Sequence, residues 1–78
     1  MSDGANKDEN QIYKIELRGQ LSEDDLNEFS PILMSLIHMD AASTTFQVRT
    51  DPSGLVGLIR CLHGRGLVLL SVNTELDG

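Results

Sequence analysis

The only side chains in this 78-residue chain that could offer a nitrogen or sulfur ligand are His38, His63 and Cys61. A structural zinc site takes four protein ligands, so these three cannot close one by themselves. A single cysteine also forbids an intrachain disulfide, and a reducing cytoplasm is the expected setting. Cys61 falls at the border of an apolar helical stripe, where a small polarizable thiol packs well, and it is expected to be inert. His63 stands with Arg60 and Arg65 where a helix should end, and positive charge there complements the helix dipole. The same stretch, HGRG at 63–66, is a basic loop with flanking glycines that could hold an anion. His63, Arg65 and Gly66 are therefore the candidate ligand-binding residues. The acidic run Glu23, Asp24, Asp25 and Glu28 lacks the ligand spacing and turn glycine of an EF-hand loop, and reads as a solvated helix start. No GxSxG, GxxxxGK[ST] or HExxH occurs, and no serine has a histidine and carboxylate at a telling distance. Catalytic residues, metal ligands and cofactors are accordingly expected to be none.

The elements that must position these residues are legible from periodicity. Leu55, Leu58, Ile59 and Leu62 repeat at i, i+3, i+4 and i+7, which makes one apolar face of a helix. Asp51 or Ser53 can cap its start, Pro52 suits its first turn, and Gly64 and Gly66 can take the positive φ that ends it. Residues 67–72 then read as a strand. Upstream, Tyr13, Ile15 and Leu17 alternate with Lys14, Glu16 and Arg18, the pattern of a half-buried strand. Ser22 caps a short helix carrying Leu26 and Phe29, which Pro31 should stop near Ser30. Residues 32–39 and 44–50 read as two strands joined by a turn. The order is βαββαβ, which implies a ferredoxin-like α+β sandwich. Four antiparallel strands form the sheet, the first and third central, with both helices on one face. The expected core is Tyr13, Ile15, Leu17, Leu26, Phe29, Phe46, Val48, Leu55, Leu58, Ile59, Leu62, Leu67 and Leu69. Residues 1–10 carry almost nothing to bury and are expected to form a loose tail ahead of a single domain, 11–78.

Six basic residues against twelve acidic ones give a formal net charge of -6, which repels phosphate. The open sheet face should carry Lys14, Glu16, Arg18, Gln47 and Arg49 in a cross-strand salt-bridge lattice. An RNA-binding sheet would need aromatic rings there, and none falls at these positions. Nucleic acid is therefore not an expected partner. No apolar run approaches the roughly 20 residues that span a bilayer, and the start of the chain has no leader-like pattern. A soluble cytoplasmic protein without membrane partners is expected.

The residues Asp51, Gly54, Leu55, Leu62 and 66–72 resemble the D-x-x-G-L, helix, G-[IL]-x-[IL] pattern of ACT domains, which are βαββαβ regulatory modules. In ACT domains the ligand-binding turn precedes the first helix, and here that turn reads GQLSEDD, so no effector residues carry over. The pieces YKIELRGQL and LVGLIRCLHGRGLVLLSV are similar to the two ends of a group of short uncharacterised bacterial proteins. That likeness implies the same fold and a bacterial cytoplasmic setting, and no particular activity.

The strand parities carry the functional expectation. If Leu67 and Leu69 face the helices, Val68, Leu70 and Val72 are left on the other side of the last strand. Met34 and Leu36, with Leu33 and Ile37, give the second strand a similar surplus. These edges should be covered by another chain. The chain is expected to be a non-catalytic association or regulatory module, a homodimer through Val68, Leu70, Val72, Met34 and Leu36, with a small effector or another protein as further partners. The rival is a small enzyme, or an enzyme accessory, working from the open sheet face or from the loop 63–66.

Overall fold

The computed structural model describes residues 10–75. The expected tail therefore lies, apart from Asn10, outside the described residues. Six elements follow one another: β1 (Gln11–Arg18), α1 (Glu23–Asn27), β2 (Ser35–Met39), β3 (Ser43–Thr50), α2 (Pro52–Gly64) and β4 (Leu69–Glu75). The strands form one antiparallel sheet in the order β2-β3-β1-β4, so β1 and β3 are central and β2 and β4 are the edges. This is the ferredoxin-like arrangement.

The alternation in β1 does what it promised. Tyr13, Ile15 and Leu17 are buried, and opposite them on β3 and on the helices lie Phe46, Val48, Leu26, Leu58 and Leu62 in one core. Leu58 and Leu62 are one turn apart in α2, which is why they present a single stripe to the sheet. Phe29, Leu55 and Leu67 pack against this core only in part. Two expected members differ more: Ile59 is half-buried and Leu69 is exposed, because both border a cleft beside α2.

The caps explain the boundaries. Ser22 Oγ accepts the Asp25 N–H, while Asp51 Oδ1 accepts the Gly54 N–H at 2.7 Å and so is the cap of α2 in place of Ser53. Gly54 is required by close approach, since a Cβ there would run into Thr50 Oγ1. At the other end the Leu67 N–H reaches Leu62 O and the Gly66 N–H reaches His63 O, with Gly66 at φ 83°. That is a Schellman ending, and only Gly66 needs the left-handed conformation; Gly64 is still helical.

β2 departs from expectation most. It spans only Ser35–Met39 rather than 32–39, and α1 stops at Asn27 rather than near Ser30. Between them Ser30 Oγ bonds the Ile32 N–H and carbonyl, a local turn that replaces both helix and strand. Met34, just ahead of β2, is fully buried in the core and is not part of an exposed interface.

Candidate functional site

Buried hydroxyls and backbone caps organise the sheet ends. Thr44 is fully buried; its Oγ1 donates to Gly19 O at 2.7 Å and accepts the Leu21 N–H at 3.0 Å, fixing the β1–α1 turn. On the open face, Glu16 sits at the middle of three strands. One carboxylate oxygen accepts from Ser43 Oγ on β3 at 2.7 Å and the other from Ser71 Oγ on β4 at 3.2 Å. Glu16, one member of the expected lattice, is thus bridged to both neighbouring strands by serine hydroxyls. The rings of Tyr13 and Phe46 are in the core on the opposite face. Among the described residues no group of three or more His, Cys, Asp or Glu is placed to hold a metal ion. Among them, too, no helix is long and apolar enough to cross a membrane.

The loop 63–66 does not act as one unit. The N–H groups of Arg65, Gly66 and Leu67 are all taken by carbonyls of the last turn of α2, so they do not converge on an anion. Arg65 turns away to lay its guanidinium over the Phe29 ring, 4.1 Å from the centroid. Cys61 lies on the same side, its Sγ donating to Phe29 O at 3.6 Å, which ties α2 to the segment after α1. His63 alone of the three candidates lines a cleft. That cleft has a volume of about 320 Å³ and lies between the last turns of α2 and the start of β4. Ile59, Leu62, Leu67 and Leu69 form its apolar walls, with Arg60, His63 and Gly64 at its polar side. Arg60 and Ile59 were not singled out as ligand contacts from the sequence. Their positions one helical turn before Gly64 and His63 carried that information.

The two sheet edges differ. On the outer side of β2, the Met34 N–H and carbonyl are both held by the Asn27 carboxamide, at 2.8 and 2.9 Å. Two residues on, the Leu36 N–H donates to Glu23 Oε2 at 2.8 Å. Side chains of α1 thereby occupy the main chain just ahead of β2 and the Leu36 amide at its start, although Leu36, Ile37 and Met39 keep exposed apolar surface. Among the described residues no side chain caps the outer edge of β4 in this way. Exposed apolar side chains gather there: Val68 at 43%, Leu69 at 36% and Leu70 at 44%.

β4 also carries a register shift. Glu16 is opposite Ser71, but Leu17 is opposite Leu69, which leaves Leu70 as the extra residue of a bulge. The bulge restarts the alternation. Val72 therefore stands opposite Ile15 and packs half-buried against the core. It is not on the outer face with Val68 and Leu70, as strict alternation had placed it.

The chain is thus a small α+β sandwich with, among the described residues, an uncapped edge at β4 and an apolar cleft beside it. Comparison with family models, with curated proteins and with solved structures returned no match.

Proposed function

We propose that the chain is a non-catalytic association module that pairs with a second copy of itself along β4. The observation that carries this reading is the inequality of the two edges: Asn27 holds Met34 just ahead of β2 and Glu23 holds the Leu36 amide within it, whereas β4 has no such cover among the described residues. An open edge offers a row of donors and acceptors to another strand. Two further features favour a second copy as that strand. Residues 69–74, LLSVNT, carry no charge and Glu75 ends the strand, so antiparallel self-pairing centred within 71–74 sets no like charges directly opposite each other in a chain of net charge -6. A two-fold axis through an antiparallel pair is also self-complementary, and it closes the assembly at two copies. The bulge at Leu70 confines regular pairing to the later part of the strand, while Val68 and Leu70 supply apolar cover at its start. Removing such surface from water contributes about 25 cal/mol per Å². The cleft at the same edge extends the reading to a module whose association responds to a small molecule. Light scattering coupled to size exclusion tests the pairing: twice the 8.6 kDa chain mass is expected at micromolar concentrations, and a mass of one chain would overturn it.

A further inference from the structure

We propose that the α2–β4 cleft binds a small apolar carboxylate, its alkyl body between Ile59, Leu62, Leu67 and Leu69 and its head group on Arg60 and His63. The Schellman turn makes the site. By reversing the chain at Gly66 it brings the helix-facing side chains of β4 back alongside the last turn of α2. Leu62, almost fully buried, is the floor, and Ile59 and Leu67, half-buried, are the walls. A volume of about 320 Å³ lies at the low end of the roughly 300 to 1,000 Å³ usual for ligand clefts, which restricts the occupant to a small molecule.

Charge selects the head group. The chain holds twelve acidic residues and six basic ones, yet among the described residues no carboxylate lines this cleft, and its ionisable side chains are Arg60 and His63. The guanidinium fork of Arg60 matches the two oxygens of a carboxylate, and an imidazole N–H of His63, one turn away on the helix, is a second donor. Four apolar side chains and two donors together fit an amphiphilic anion better than a free inorganic one. Gly64 is part of the lining, a Cβ placed there would meet nothing within 4 Å, and its backbone is helical, so a larger residue fits there without strain and adds bulk beside the cleft.

The cleft lies on the helix side of the sheet and the strand pairing uses the outer edge of β4, so each is tested separately. Octanoate titrated into the full-length chain, followed by amide NMR shifts, should give saturable changes centred on Ile59, Leu62, His63, Gly64, Leu67 and Leu69. Neutral octanamide should bind about tenfold more weakly, as should Arg60→Gln with octanoate, the effect of losing a charge-assisted hydrogen bond. Gly64→Leu should abolish binding while leaving the circular dichroism unchanged. Shifts scattered over the surface, no saturation at millimolar octanoate, equal affinity for octanamide, or binding retained by Gly64→Leu would each overturn the proposal. Light scattering on the same samples records the oligomeric mass, so a chain that binds octanoate as a monomer keeps the cleft and removes the pairing.

Discussion

The Asn27 carboxamide engages the main chain of Met34 in both directions, accepting its N–H at 2.8 Å and donating to its carbonyl at 2.9 Å. One side chain of a five-residue helix thus holds the main chain that leads into β2, and it anchors a methionine that is fully buried. Asn27→Ala should cost about 1 to 3 kcal/mol, because two part-buried main-chain groups lose their partner. The urea midpoint would measure it. The variant should also aggregate more readily than the wild type, since the main chain leading into β2 then offers a bare donor and acceptor.

Association should respond to charge at the other edge. Leu70→Glu places an acid on the bulge of β4, which removes apolar cover from the contact and sets a new negative charge against a partner chain of net charge -6. Light scattering should show the mass falling from two chains to one, with the far-ultraviolet circular dichroism unchanged.

Thr44 should tolerate serine far better than valine. Valine keeps the shape but leaves the Leu21 N–H and the Gly19 carbonyl without their partner, at a cost of about 1 to 3 kcal/mol. Serine keeps the hydroxyl and loses one methyl, worth about 1 kcal/mol. Equal destabilisation by the two in chemical denaturation would contradict the hydrogen-bond account.

Two glycines of α2 should answer alanine with opposite sign. At Gly57 a Cβ meets nothing within 4 Å, so alanine gains helix propensity of about 1 kcal/mol. At Gly54 it collides with Thr50 Oγ1, and Thr50 is buried, so the melting temperature should fall. Thermal unfolding of the two variants side by side checks both signs.

Asp40 closes the β2–β3 turn, its Oδ1 accepting the Ala42 and Ser43 N–H groups at 2.9 Å each. Those bonds, and then His38 with its Nε2 3.7 Å away, hold its carboxyl below the ordinary value of 3.8. Folding therefore favours the ionised form. The stabilisation is complete above the ordinary carboxylate range and fades as pH falls through the lowered folded value. Asp40→Ala should be less stable than wild type near neutrality and converge with it in strong acid, as urea midpoints across that range would record.

Much of the fold was written locally. The alternation of Tyr13, Ile15 and Leu17, the helical spacing of Leu58 and Leu62, and the turn residues around Asp51 and Gly66 each act over a few neighbours, so the order of elements and most of the core followed from them. The candidate site was legible only in pieces. His63 was singled out, but its grouping with Arg65 and Gly66 rested on adjacency in the chain. The structure sends Arg65 to the Phe29 ring and sets His63 with Arg60 in the lining of one cleft.

What the sequence by itself determined is the pattern whose cause lies within one turn or one strand: the elements, their caps and the side of β1 that is buried. Only the tertiary structure decided which way the edges face. Val72 turns inward because a bulge at Leu70 adds one residue to β4, and an alternating pattern cannot show that its register has slipped. Met34 is buried, and the outer amides beside it are occupied, because Asn27 and Glu23 reach across from α1. Those partners are 7 and 13 residues away along the chain. They meet only once the helix has docked on the sheet, and the same docking leaves β4 as the edge without cover among the described residues.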